Sequence, residues 1–430
     1  MNCEIKRQRK DILDILNLAF SEVDPYKTVK GIIKEGKILF DKENIDTSKF
    51  DNIYLIGFGK ASIKMGKAIL DSLNISKAIL ITNNKKIKIN DKIITTYVAG
   101  HPIPNQNSIK GTKHILKIIR ESRKQDLIIL LISGGGSTLL CNPRIGLDAL
   151  KKTTELLLKT NMEISEINTV RKHLSFVKGG QLLKNVNCEV ISLIISDIVN
   201  DPIEFIASGP TYPDSTTFND AKNILIKHDI WKKIPNIVRV TINEGILGLI
   251  PETLKKDNPI FNTVHNYIIG NNRSLCLTVE KYAKKKGYET EILSTCLTGE
   301  AKNVGKILIE KINEKNETNK LYISGGETTV NVIGKGKGGR NQEMVLGSIN
   351  SLKDKNIVFA SVATDGIDGY SDAAGAIADS YSLKRALQKK FDPNYFLKNN
   401  NSYEFFKVLD DLIKTGPTGT NLMDIQIIIC

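Results

Sequence analysis

The residues best suited to chemistry sit in three glycine-rich runs, each following a short apolar burst. The first, Gly57-Phe58-Gly59-Lys60-Ala61-Ser62, opens a stretch of small residues with helical spacing. Paired glycines let the backbone approach a ligand closely, and a helix start offers unpaired N–H groups and a positive dipole end. Lys60 adds a full charge at the same point, so the run suits a phosphate. The second, Ser133-Gly134-Gly135-Gly136-Ser137-Thr138, presents a row of amide donors and then two hydroxyls. It is an anion cradle but not a Walker-type loop, which would need a lysine after its last glycine. The third, Ser324-Gly325-Gly326-Glu327-Thr328-Thr329, leads into Gly334-Lys335-Gly336-Lys337-Gly338-Gly339-Arg340, four glycines and three cations in seven residues. This reads as a mobile loop that closes on an anion. Arg340 stands at the start of the next helix, with a planar fork matched to phosphate oxygens.

Carboxylates follow other apolar bursts. Asp197 and Asp201, with Ser196 and Asn200 between and beside them, can hold a hard cation such as magnesium, orient a hydroxyl, or simply cap a turn. Asp365, in Ala363-Thr364-Asp365-Gly366-Ile367-Asp368-Gly369, suits metal binding, general-base work or a sharp turn. Asp372 reads as a cap for the segment after it. His101 lies between Gly100 and Pro102 in a rigid loop, placed either to contact substrate or to serve that loop. There is no Gly-x-Ser-x-Gly elbow and no Cys–His pairing, which argues against a covalent hydrolase. A dinucleotide fingerprint fails twice: Ser62 stands where the third glycine belongs, and the next strand ends in Thr82-Asn83-Asn84, without an acidic residue to hold a ribose.

Something must position these runs. Apolar bursts at 53–57, 78–82, 127–133, 190–196, 267–270, 321–324 and 358–363 read as buried strands, alternating with helical stretches. That alternation predicts an α/β fold with largely parallel sheets, in which ligands bind beyond the carboxyl ends of strands. The Pro- and Gly-marked stretch around 235–260 suggests a boundary, giving domains 1–250 and 251–430, and the Lys-rich loop 83–92 reads as a local elaboration. A length of 430 residues, 41% hydrophobic and 25% charged, suits two or three globular domains with cores of their own.

The net charge of +14 comes from lysines spread along the whole chain. Without a basic patch interleaved with aromatics, it does not signal a nucleic-acid partner. No apolar run is long enough for a membrane span, and the basic N-terminal stretch lacks a secretory core. Six scattered cysteines without metal-ligand spacing fit free thiols in the cytoplasm. Glycine cradles, nearby cations and strand-end carboxylates together make a kit for phosphoryl transfer, which depends on positioning and charge stabilisation.

In their order along the chain, the runs 57–62, 99–104, 133–139, 168–175, 196–202, 207–212, 324–328, 338–343 and 363–369 resemble the glycerate 2-kinases of the MOFRL-containing type, from about residue 8 to about 427. The resemblance implies ATP-dependent phosphorylation of D-glycerate at its 2-hydroxyl, giving 2-phospho-D-glycerate and ADP, with magnesium required. It implies a Rossmann-like N-terminal domain, a C-terminal α/β domain with the MOFRL region at about 317–425, and an active site in the cleft between domains. Lys60 and Arg340 fall on the family's leading active-site positions, where they would neutralise the transferring phosphoryl group and the glycerate carboxylate. Gly57, Gly59, Ser133, Gly134, Gly135, Gly136 and Ser137, with Gly325, Gly326 and Glu327, would bind ATP or its phosphates. Asp197 and Asp201 would hold Mg²⁺, and Asp365 would act as base. Family members often carry a hydroxypyruvate reductase label, so an NAD(P)H-dependent reductase is the rival reading. The expected partners are small molecules, D-glycerate and ATP, with no nucleic acid and no membrane; a homodimer is left open.

Overall fold

A computed structural model describes every residue except 1, 41–42, 86–91, 161, 316 and 354, so most of the Lys-rich loop lies outside the described residues. The chain forms two compact units: 25–196 with 201–269, and 1–24 with 197–200 and 270–430. The partition at 250 read from the sequence shifts in two ways. The boundary falls at the end of the Val264–Gly270 strand, and the first helix, Cys3–Glu22, joins the C-terminal unit. That helix buries Ile5, Ile12, Ile15, Leu16 and Ala19 on one face, and its Arg9 pairs with the buried Asp379 and Asp411. Periodicity shows that such a stripe must be covered but does not say by which core.

The 25–269 unit is built on a sheet in the order Ile94–Val98, Lys77–Thr82, Ile53–Phe58, Leu127–Ile132, Glu189–Ile195, Val264–Gly270. The first five strands run parallel. Leu127–Ile132 is buried at every position, as a parallel strand covered on both faces must be. After Ile53–Phe58 the chain first adds strands on one side, then returns to add Leu127–Ile132 on the other. These two strands therefore flank the topological switch point, where open α/β sheets bind ligands. Their register pairs Gly57 with Leu131 and Phe58 with Ile132, so the first two glycine runs leave the sheet side by side. A second core gathers Leu157, Val170, Phe218, Leu225, Val238 and Ile242 from helices Leu147–Leu158, Ile164–His173, Phe218–Lys227 and Asn236–Ile246. Part of the stretch read as a boundary is thus a helix of this unit.

The C-terminal unit corrects the expectation of parallel sheets. Its strand order is Glu289–Leu297, Lys320–Gly326, Asp424–Ile429, Val358–Ala363, Gly375–Asp379, Leu412–Ile413. Only the first pair is parallel; Asp424–Ile429 lies between two strands and runs antiparallel to both, and the remaining pairs are antiparallel too. Side-chain pattern marks a strand as buried but carries no information on the direction of its neighbour. Among the described residues no helix is long and apolar enough to cross a membrane, and all six cysteines are free.

Candidate active site

The two runs at the switch point are stitched together. The Lys60 N–H donates to Gly134 O at 2.8 Å and the Ala61 N–H to Ser133 Oγ at 3.1 Å. Gly59 has φ +131°, and a Cβ there would lie 2.1 Å from Ser133 Oγ and 2.6 Å from Ser133 O, so no side chain fits. Ser62, fully buried, keeps its hydroxyl within reach of Gly59 O at 2.9 Å and Ile81 O at 3.0 Å. It thereby fills the place where a dinucleotide fingerprint has its third glycine. Against Gly135 pack the His101 ring and the Lys60 stem, 3.0 and 3.4 Å from where a Cβ would stand. Burial, and then the Lys60 charge, push the His101 pKa below its ordinary value, so the imidazole is neutral at pH 7.

The far end of the same turn meets two more basic side chains. Ser137 O accepts from Arg171 Nη2 at 3.4 Å and from Lys178 Nζ, which also reaches Leu140 O at 3.4 Å. Ser137 Oγ lies 2.9 Å from Ser208 Oγ, whose hydroxyl donates to Asn168 Oδ1 at 2.9 Å. Burial, then repulsion from Arg171, pushes Lys178 down to about 7, and burial also lowers Arg171. Among the described residues, none of Lys60, Arg171 and Lys178 has a carboxylate partner. The neighbours of Arg171 on its helix do. Lys172 pairs with Asp214 at 3.3 Å, both buried, and His173 with Glu252 at 3.1 Å. Against the pull of burial, the bonds from His173 and from the Phe218 N–H hold Glu252 down to about 2.

Arg340, in the C-terminal unit, is settled differently. Its Nε and Nη2 donate to Asp424 at 2.5 and 3.0 Å, and its Nη1 pairs with Glu327 at 2.6 Å. Burial opposes the guanidinium charge, but Asp424 and Glu327 outweigh it and raise its pKa. Burial holds both carboxyls above their usual range even so. Arg340 begins the helix Arg340–Ser348, whose first N–H groups, Asn341 at 3.0 Å and Gln342 at 2.9 Å, donate to Asp368. Burial pushes Asp368 up to about 6. Beside this helix a cavity of about 600 Å³ is lined by Val330, Val332 and Tyr370 together with Glu327 and Arg340.

The structure redistributes several sequence expectations. The strand Lys320–Gly326 runs on through Gly325 and Gly326, and a Cβ on Gly325 would overlap Asn272 Oδ1 at 1.9 Å. On the side a Cβ would occupy, these glycines allow close packing within the unit. The 334–339 run, expected to be a mobile loop, is pinned. The Ile333 and Gly334 N–H groups donate to Asn400 Oδ1 at 2.8 Å, Gly336 N to Asn399 O at 2.9 Å and Lys337 N to Asn401 Oδ1 at 3.0 Å. Asp365 is partly exposed and accepts the Ile367 N–H at 3.1 Å, a local turn. Asp372 is followed by a strand, Gly375–Asp379, and not by a helix, and it pairs with Lys414 at 2.8 Å. Asp197 falls in the C-terminal unit and Asp201 in the other, with Asn200 at φ +64° and Asp201 at φ +54° turning the chain between them. Among the described residues no three His, Cys, Asp or Glu side chains gather to hold a metal. Sequence reasoning missed Arg171, Lys178 and Asp424 as site residues. The first lies within the family-like run 168–175, and Lys178 precedes a Gly-Gly pair; nothing around Asp424 sets it apart.

Fold and site define an α/β protein whose parallel sheet carries a paired glycine turn at its switch point, surrounded by unpaired cations. Residues 11–243 match the family described as Domain of unknown function (DUF4147), and residues 320–424 match the MOFRL family. A glycerate 2-kinase of Pyrococcus horikoshii is 42% identical over 97% of this chain and 96% of its own. The crystal structure of a glycerate kinase from Thermotoga maritima, 35% identical, matches with a TM-score of 0.86 over 99% of both chains. A relative from Agrobacterium vitis, 33% identical over 87% of this chain and 86% of its own, bears a provisional hydroxypyruvate reductase name. The chain belongs to the MOFRL-containing glycerate 2-kinase family.

Proposed function

We propose that the protein transfers the γ-phosphoryl group of ATP to the 2-hydroxyl of D-glycerate, giving 2-phospho-D-glycerate and ADP. The observation that carries this reading is the stitched pair of turns at the switch point, with Lys60 free of any carboxylate among the described residues. Phosphoryl transfer asks the protein for positioning and for charge to meet the oxygens of the moving group. The Gly134, Gly135 and Ser137 N–H groups and the Lys60 ammonium supply both, while the Ser133 and Gly136 N–H groups already donate to Phe58 O and Ser133 O. Arg340, in the C-terminal unit, is assigned a charge-neutralising role of its own, in which an incoming anion would compete with Glu327 for Nη1. The apolar-walled cavity beside it has the size and lining of a pocket for a nucleotide base. Asp365 is assigned the proton of the 2-hydroxyl.

Magnesium, when bound, neutralises charge on the nucleotide phosphates. It usually keeps several waters and takes only one or two protein carboxylates. Asp197 and Asp201, both partly exposed, are the residues assigned to hold it. The buried Ser62 hydroxyl and the non-acidic end of the Lys77–Thr82 strand argue against a nicotinamide dinucleotide. Free thiols at all six cysteines suit a cytoplasmic protein.

The test is ADP release from purified protein given D-glycerate, ATP and Mg²⁺. Lys60→Ala should lose on the order of 10²-fold or more in kcat, as removal of an oxyanion donor does, without losing its fold. Near-normal turnover in that variant would remove Lys60 from the mechanism.

A further inference from the structure

We propose that Arg171 receives the carboxylate of the substrate, beside Lys178 at the Ser137 end of the glycine turn; the proposal rests on D-glycerate being the substrate. The helix Ile164–His173 ends in three consecutive basic residues, Arg171, Lys172 and His173. Two of them are matched by carboxylates on this same unit, Asp214 and Glu252. Only Arg171, the one beside the glycine turn, is left without such a match among the described residues, its contact being one long bond to Ser137 O. Lys178, buried, is likewise satisfied by carbonyl oxygens alone. A partly buried guanidinium with no counter-ion among the described residues, set beside a buried amine whose charged form burial disfavours, is costly, and an anion relieves that cost.

The shape of the group selects the anion. A guanidinium with most of its donors unspent binds a carboxylate through two parallel hydrogen bonds. The carboxylate of D-glycerate is attached directly to the carbon bearing the 2-hydroxyl. Fixing it therefore fixes that hydroxyl more closely than the 3-hydroxyl, which is one carbon further away and free to rotate. Lys178 is a positioning residue here: it holds Ser137 O, so the arginine fork is not consumed by the turn. The Ser137–Ser208–Asn168 hydrogen bonds brace the same end.

The test compares steady-state kinetics of wild type, Arg171→Gln and Arg171→Lys on D-glycerate, on its neutral analogue glycerol, and on ATP. A charge-assisted bidentate contact predicts a loss of about 10²-fold in kcat/KM for D-glycerate in the Gln variant. The Lys variant, which keeps the charge but not the fork, should lose about 10-fold. The KM for ATP should stay within about twofold, and the preference for D-glycerate over glycerol should fall by the same factor as kcat/KM. A purely structural role would not move that preference. Should the Gln variant fail to fold, the Lys variant alone decides. Unchanged kinetics on D-glycerate, or a rise confined to the ATP KM, overturns the proposal. A wild-type protein that turns over no D-glycerate overturns the kinase reading, and this inference with it.

Discussion

Arg171 and Arg340 are both partly buried guanidinium groups beside the strand ends of their own unit, yet their charges are settled in opposite ways. Arg340 spends its whole fork on Asp424 and Glu327, so its charge is compensated before any ligand arrives. Arg171 makes one long bond to a carbonyl and, among the described residues, meets no carboxylate. The two environments teach different things about the same residue type. A paired arginine holds the fold and its carboxylates in place, and a ligand there must displace a partner. An unpaired one costs stability until a ligand supplies the missing charge.

The sharpest way to break this comparison is to delete each side chain and measure unfolding. Arg340→Ala strands Asp424, which is 1% exposed, and should cost about 3–5 kcal/mol, as breaking a buried pair does. Arg171→Ala removes an uncompensated charge and should stay within about 1 kcal/mol of wild type. Equal losses in urea denaturation would erase the distinction.

Gly59→Ala sharpens the comparison without touching a charge. The added methyl meets Ser133 Oγ and the Ser133 carbonyl, and the backbone there sits at φ +131°. It should cost on the order of 1–3 kcal/mol and loosen the Lys60–Gly134 stitch, with turnover falling alongside the melting temperature. A fully active, equally stable variant would show that the two turns need not be held together.

The smallest effect is in the pH dependence. Lys178 is a base whose folded value is lowered from 10.5 to about 7, so between those values the unfolded chain binds more protons than the native one. Its contribution to stability is therefore fully present above about 10.5 and is lost as pH falls through about 7. A carboxylate bound beside it favours the charged form again, so D-glycerate binding near pH 8 should take up a fraction of a proton. Calorimetric titration in buffers of different ionisation enthalpy reads that uptake directly, and Lys178→Met should abolish it. Binding with no proton uptake in the wild type would place the anion away from Lys178.

Much of this was readable from residue order alone, for identifiable reasons. Apolar bursts ending in glycine marked Ile53–Phe58 and Leu127–Ile132 as strands, and glycines followed by Lys60 or by serine marked their ends as anion turns. The strand Asp424–Ile429 escaped because it carries Gln426 among its isoleucines at the chain end and joins partners more than fifty residues away, a pairing that local pattern does not encode. Gly325 and Gly326 carry a close packing that residue order does not show, since a glycine needed for packing is spelled the same as one needed for a ligand. Arg171 was passed over for the converse reason. In sequence it is one basic residue in a row of three, and only the structure shows that its two neighbours are already paired.

The central claim is that this protein phosphorylates D-glycerate at the carbon next to its anchored carboxylate. Phosphorus NMR of the product formed from D-glycerate, ATP and Mg²⁺ tests it most directly. The account predicts 2-phosphoglycerate as the product. Formation of 3-phosphoglycerate would contradict the carboxylate anchor, and no phosphorylated product, with NADH or NADPH oxidised on hydroxypyruvate instead, would contradict the kinase itself.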